Sequence, residues 1–213
     1  MLIRLAREKE RQSPVELRKE INALCRAAVV LLSSHLEGYV KDLGELALES
    51  LHSKQVPRTS LSSKLFYHIS KGFFGDIQDT SDPEKMADRL FVFIGDDLHF
   101  WSRNGPFPQQ VPIDRFNKGF SNPAFAKICA YVGRFGYSEY KLELARKLGA
   151  TNLPVTNMID HLVGTRNKIA HGDPMATEPP GDVSIMVTTI RVYVGATDGL
   201  FATWWKKNFC SIR

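Results

Sequence analysis

The chain has 213 residues, of which 43% are hydrophobic and 24% are charged, a balance typical of a globular domain with a substantial core. The net charge of +5 permits a polyanionic partner such as RNA but does not require one. Three widely separated cysteines (Cys25, Cys129 and Cys210) have no zinc-like spacing, so we predict free thiols, no bound metal and no other cofactor.

The N-terminal residues carry no sign of a secretory signal. Met1 to Leu5 leads directly into a charged run, and no long apolar region follows it. Residues 1–12 are a candidate flexible segment. The longest uncharged apolar stretch, 27–32, is far shorter than the roughly 20 residues that span a bilayer. We therefore expect a cytoplasmic protein with no membrane partner.

A long amphipathic helix is predicted from Ser13 to about Leu51. Ser13 can cap this helix, Pro14 suits the first helical position, and Glu16 completes the cap three residues later. Apolar residues then recur three and four positions apart and form one stripe. The interior glycine Gly38 destabilises a helix and therefore indicates a close helix contact at that point.

Breakers and caps predict shorter helices in the middle of the chain. The predicted segments are a helix from Ser62 that breaks at Gly72 and Gly75, a helix from Asp82-Pro83-Glu84 towards Trp101, a loop at 104–108, and helices at 123–132 and 138–148. A further helix begins at Asn152, which is its expected cap, and ends at Gly172 and Pro174. The segment 182–205 has helical spacing but many β-branched residues, which favour strand; we predict a helix.

The sum is an all-α chain of six or seven helices in one bundle-like domain over 1–213, in which 52–150 is the least defined part. No Walker A loop, dinucleotide-binding fingerprint, zinc-protease motif or nucleophile elbow occurs in the sequence. The chemistry therefore has to come from another pattern.

That pattern is the run Arg166-Asn167-Lys168-Ile169-Ala170-His171. Arg166 occupies a helical position that the apolar stripe would give to a hydrophobic residue, and a guanidinium there must find acceptors. Such a break in a local rule is typical of functional sites. Asn167 and His171 are four positions apart and therefore neighbours. At the helix C-terminus the dipole favours a protonated imidazole on His171.

These residue types can cleave RNA without a metal. The 2′-hydroxyl must lose a proton, the departing 5′-oxygen must gain one, and the phosphorane-like transition state needs a positive charge. A histidine serves one of the proton transfers near neutral pH, and an arginine supplies the charge. One copy of the motif does not cover all these roles, whereas a symmetric dimer would double the set.

The run resembles the Arg-x4-6-His motif of the HEPN superfamily in order, spacing and position on a late helix. Arg166 corresponds to its arginine, Asn167 to the polar residue that commonly follows, and His171 to its histidine. The segment 26–39 also resembles the first helix of the RiboL-PSP-type and related HEPN groups found in bacterial defence and toxin loci. The middle of the chain, about 52–150, carries no such match.

The resemblance implies a HEPN-like helical bundle with extra helices inserted between the first helix and the motif helix. It implies a toxin or defence effector that homodimerises through the motif helices and cuts RNA, not DNA, without a metal. An antitoxin or a regulator from a neighbouring gene is the other expected partner. The implied catalytic residues are Arg166, Asn167 and His171. Supporting roles are expected for Glu37, Lys168 and His35.

Two other functions remain open on the sequence. The chain is alternatively a non-catalytic module that binds RNA or a protein, or a target that a nucleotidyltransferase-like partner modifies at Tyr39 or after His171. Single residues also have plainer interpretations. Arg166 could form a structural ion pair with Glu37 or Asp42, and His171 could serve only to cap its helix. His161 could have a structural or surface role. The remaining side chains could lie in the core (Trp101, Trp204 and Trp205) or on a solvated face (Lys168, Lys206 and Lys207).

Overall fold

The computed structural model describes residues 1–102 and 104–212, and it confirms the all-α class. The chain is 75% helical, and no strand occurs within the described ranges. Helices with four or more residues are α1 (Leu2–Gln12), α2 (Arg18–Ser53), α3 (Ser63–Gln78), α4 (Pro83–Asp96), α5 (Leu98–Trp101), α6 (Ile113–Asn117), α7 (Phe125–Gly133), α8 (Tyr140–Leu148), α9 (Asn152–Ala170) and α10 (Pro180–Asn208). Two 3₁₀ turns occupy Arg58–Ser60 and Gly149–Thr151.

The two ends of the chain are more helical than local patterns indicate. The candidate flexible segment 1–12 forms α1, whose Ala6 is fully buried. Ser13 ends α1, so the long helix begins at Arg18 and not at Ser13. The prediction of helix over 182–205 is confirmed, because α10 covers all of it. Side-chain burial on this helix outweighs the strand preference of its β-branched residues.

Two predicted boundaries in the middle of the chain are wrong. Helix α3 continues through Gly72 and Gly75, since a glycine weakens a helix without ending it when the flanking residues pack. The helix capped by Asp82 is interrupted at Asp97, where α5 takes over. The cap itself is confirmed: the Asp82 side chain accepts from the Glu84 amide at 3.0 Å.

The close contact expected at Gly38 lies at a different glycine of α2. A Cβ added at Gly38 would meet nothing within 4 Å. A Cβ added at Gly44 would overlap the hydroxyl of Tyr131, whose ring end lies against this helix. Glycine is therefore required for packing at Gly44, whereas Gly38 has no such neighbour.

The chain divides into two compact units. Unit 1 contains 1–40, 121–128 and 141–199, and it includes α1, α9, nearly all of α8 and parts of α2, α7 and α10. Its core is aliphatic, with the apolar faces of α2, α9 and α10 buried. The core residues are Cys25, Val29, Leu36, Val155, Ile159, Leu162, Val183, Met186, Ile190 and Tyr193.

Unit 2 contains 41–120, 129–140 and the chain from Leu200 onward. Its core is aromatic, with rings in tilted and edge-to-face contact. The buried rings include Phe66, Phe100, Phe107, Phe116, Tyr131, Phe135, Phe201 and Trp205. Trp205 is therefore a core residue, and Trp204 stacks on Tyr137 with ring centroids 4.4 Å apart. Within residues 1–102 and 104–212, no helix is long and apolar enough to cross a membrane.

Candidate functional site

Helix α9 presents the motif at its C-terminal end. The side chains of Val155, Ile159 and Leu162 are buried, which anchors one face of the helix in the core of unit 1. Arg166 follows Leu162 by four positions on the same face and is half-buried. The helix begins at Asn152, with Thr151 as its N-cap residue, one position earlier than the predicted cap. The core face thus carries the guanidinium to the rim of the unit.

Arg166 and Asn167 are joined by a hydrogen bond. Nη1 of Arg166 donates to Oδ1 of Asn167 at 3.1 Å in a partly buried setting. This bond orients the amide of Asn167 and uses one of the five N–H donors of the guanidinium. The remaining donors form a fork of the kind that binds phosphate oxygens.

His171 is the C-cap residue of α9, and its side chain is exposed. The main chain beyond it forms a Schellman turn. The amide of Gly172 donates to the carbonyl of Ile169 at 3.1 Å, and the amide of Asp173 donates to the carbonyl of Lys168 at 3.0 Å. Gly172 has φ of +82°, which is the left-handed conformation that this turn requires. The predicted helix end is therefore confirmed in position and in cause.

The loop after His171 is held from a distant part of the chain by Arg26. Nη1 of Arg26 donates to the carbonyl of Asp173 at 2.7 Å and to that of Ala176 at 2.9 Å. Hydrogen bonds from a charged donor are stronger than those between neutral groups. Arg26 thus fixes the main chain that follows His171. Sequence patterns did not single out Arg26, although, like Arg166, it is an arginine next to a buried apolar stripe of its helix.

A second contact ties the same loop to the side of α9. The carboxylate of Glu178 accepts from the hydroxyl of Thr165 at 3.2 Å and lies 3.0 Å from Nε2 of His161. Half of the His161 side chain is exposed. His161 therefore makes a contact that ties the loop to α9, which agrees with the structural role open to it on the sequence. Thr165 and Glu178 are further residues that local patterns did not single out.

The three supporting residues lie in different surroundings. Oε2 of Glu37 accepts from the amide of Asn122 at 3.1 Å, so this carboxylate holds the start of the segment 121–128. His35 and Lys168 are exposed. The main-chain carbonyl of Lys168 belongs to the Schellman turn. Among the predicted site residues, the side chains of Arg166 and Asn167 are hydrogen-bonded to each other. The amide of His171 donates to the carbonyl of Asn167 in the helix backbone.

Tyr39, one of the two candidate modification positions, is engaged in unit 1. Its hydroxyl donates to the carboxylate of Asp198 at 2.9 Å and lies 3.3 Å from the carbonyl of Val194. The cysteines are free thiols, as predicted. Burial raises the pKa of the Cys25 thiol, and the carboxylate of Glu10 raises it further.

Comparison with protein families identifies a family model that covers most of the chain. The family model described as RiboL-PSP-HEPN matches residues 4–193, which is most of the chain and includes the motif, all of α2 and the first half of α10. No curated protein matches the chain, and no solved structure matches it.

Proposed function

The chain belongs to the RiboL-PSP-HEPN family, and on this premise we propose that it is a metal-independent endoribonuclease. The observation that carries the proposal is the arrangement at the end of α9. Arg166 is hydrogen-bonded to Asn167, and an exposed His171 caps the same helix. The family commonly includes ribonucleases. A guanidinium and an accessible imidazole at the same helix end supply the positive charge and one of the two proton transfers that phosphodiester transesterification requires.

In the proposed reaction the ribose 2′-oxygen attacks the adjacent phosphorus and the bond to the 5′-oxygen breaks. One imidazole acts as the base that takes the proton of the 2′-hydroxyl. A second group acts as the acid that gives a proton to the departing 5′-oxygen. The guanidinium of Arg166 binds the non-bridging oxygens, on which charge accumulates in the transition state. The products are a 2′,3′-cyclic phosphate and a free 5′-hydroxyl.

A single copy of the motif supplies one imidazole, whereas this reaction uses both a base and an acid. We propose that two copies of the chain form a homodimer in which the motif helices meet. The single composite site between the two copies then holds two arginines and two histidines. A two-fold symmetric arrangement produces this pairing without any further residue type.

We propose that this RNA cleavage activity makes the chain a toxin or defence effector, and that a partner inhibits it. The test is a growth assay run beside an RNA cleavage assay, with wild type, Arg166→Ala, His171→Ala and Asn157→Ala. The first two variants are expected to lose both RNA cleavage and growth arrest. Asn157→Ala, which changes an exposed residue of the same helix, is expected to keep both.

If His171→Ala stops growth as effectively as wild type, the chain acts as a module that binds RNA or a protein without cutting. If growth arrest depends on the motif but purified wild type cuts no RNA, the motif serves another reaction. Either result would overturn the nuclease proposal.

A further inference from the structure

A cleft of about 440 Å³ in unit 1 is lined by helix α1 and the first half of helix α10. Four arginines line it, together with two hydroxyl side chains. These residues are Arg4, Arg7, Arg11, Arg191, Ser184 and Thr188. The motif chemistry of α9 uses none of them.

The spacing of these residues follows from helix geometry. Arg4, Arg7 and Arg11 recur three and four positions apart and therefore share one face of α1. Ser184, Thr188 and Arg191 do the same on α10. From Arg4 to Arg11 the helix rises roughly 10 Å. The guanidinium groups therefore form a row along the cleft and do not converge on one point.

Helix α1 is fixed within unit 1, so the row of arginines has a defined place. Its Ala6 is fully buried. The ammonium of Lys9 donates to the carboxylate of Glu20 at the start of α2. These contacts leave the arginine-bearing face of α1 turned towards the cleft.

The charge in the cleft is strongly unbalanced. Glu8 is the one carboxylate among the lining residues, and it lies 3.6 Å from Nε of Arg4 as an exposed ion pair. Such a pair contributes little to stability. Among the ion pairs within the described part of the chain, none includes Arg7, Arg11 or Arg191. Three guanidinium groups therefore have their charge available for an anion.

We propose that this cleft binds consecutive phosphate groups of a single-stranded RNA backbone. Guanidinium groups bind phosphate oxygens in a bidentate manner, and the Ser184 hydroxyl is an additional donor, whereas the Thr188 hydroxyl donates to the carbonyl of Ser184 at 3.1 Å. A row of cations suits a chain of phosphates better than one isolated phosphate. The identification of this ligand as RNA rests on the proposed function, whereas binding in the cleft does not require the chain to cleave RNA.

The test is a binding measurement in a His171→Ala background, which keeps labelled RNA intact. Fluorescence anisotropy compares His171→Ala alone with the same chain carrying Arg7→Gln, Arg11→Gln and Arg191→Gln. We expect roughly tenfold weaker binding or more at moderate salt. The dependence of log affinity on log salt concentration should also lose about 0.7 for each phosphate contact removed.

The matched control carries Arg146→Gln and Lys147→Gln, which remove two exposed positive charges from α8 in the same unit. It is expected to bind RNA almost as tightly as the background chain. Thermal unfolding of each variant checks folding. If the triple variant unfolds, the three single substitutions replace it, and their effects on log affinity should add.

RNA of four and of twelve nucleotides, together with inorganic phosphate, separates a backbone site from a single-phosphate site. Tighter binding of the longer RNA and weak competition by phosphate are expected. Equal affinity for all three probes, or triple-variant binding equal to that of the background chain, would overturn the proposal. Loss of RNA cleavage in wild type leaves this binding result unaffected, so the two proposals fail separately.

Discussion

The guanidinium of Arg26 donates to the carbonyl oxygen of Asp173 at 2.7 Å, across 147 residues of sequence. The same nitrogen donates to the carbonyl of Ala176 at 2.9 Å. These two bonds anchor the loop that leaves the C-cap residue His171. Arg26 therefore fixes the main chain that follows His171, and we propose that it positions the imidazole in this way.

We predict that Arg26→Gln lowers kcat for RNA cleavage by at least about tenfold, because a small displacement of a reacting group slows the chemical step. RNA affinity in a His171→Ala background should remain unchanged. Hydrogen exchange of the amides of 172–177 should be faster than in wild type. Arg18→Gln, an exposed substitution on the same helix, is the control. Unchanged exchange in 172–177 would mean that the loop does not depend on Arg26.

Two glycines of α2 should respond oppositely to alanine. Gly44→Ala places a methyl group against the ring end of Tyr131 and should destabilise the chain by about 1–3 kcal/mol. Gly38→Ala meets no neighbour and should stabilise it by about 0.5–1 kcal/mol through better helix propensity. Urea unfolding of both variants measures the difference. Equal effects at the two positions would contradict the packing assigned to Tyr131.

Stability should fall in mild acid because of His68. Burial lowers the pKa of His68 from 6.5 to about 4, and the charges of Arg134 and Lys71 contribute. The unfolded chain therefore binds more protons between these values, so this contribution to stability is present above pH 6.5 and is lost as the pH falls towards 4. Nδ1 of His68 is buried without a partner among the described residues, which opposes its protonation.

Replacing this imidazole with an apolar ring removes the titration. We predict that the free energy of unfolding falls less between pH 7 and pH 5 in His68→Phe than in wild type. The phenyl ring also suits the edge contact that His68 makes with Phe116. Urea unfolding of both proteins at the two pH values measures this effect. Identical pH dependence in the two proteins would show that His68 is not the group responsible.

The composite site predicts complementation between inactive chains. Arg166→Ala and His171→Ala, each inactive alone, should recover part of the cleavage activity when co-expressed with different tags and purified as a mixed dimer. The mixed dimer retains one arginine and one histidine in the shared site, which supply the charge and one proton transfer while water serves the other, so only part of the activity returns. Sedimentation should show a dimer at micromolar concentration. A mixed dimer with no activity, or a chain that is monomeric throughout, would contradict the shared site.

Local signals predicted the features that local chemistry controls. The end of α9 follows from Gly172, which takes the left-handed conformation of the Schellman turn. The start of α4 follows from the side chain of Asp82. The half-buried place of Arg166 follows from its position in an apolar helical stripe. These features depend on residues within one or two helical turns, which is the range that sequence patterns report.

Features that depend on distant packing were missed or misplaced. The contacts of Arg26 with Asp173 and Ala176 join residues about 150 positions apart, and no spacing rule reports such a pair. The sequence predicted a close helix contact at Gly38 of α2. The contact lies instead at Gly44, because Tyr131 of another helix packs against that position. Sequence patterns did not predict helix α1, because its sequence is rich in charged residues and a single buried residue, Ala6, anchors it.

Cleavage of a defined labelled RNA in excess EDTA, with wild type compared against His171→Ala, tests the central claim most directly. We predict that wild type cuts the RNA and leaves 2′,3′-cyclic phosphate ends, whereas His171→Ala leaves it intact. Equal cleavage by both proteins, or cleavage that EDTA abolishes, would contradict a metal-independent ribonuclease built on this motif.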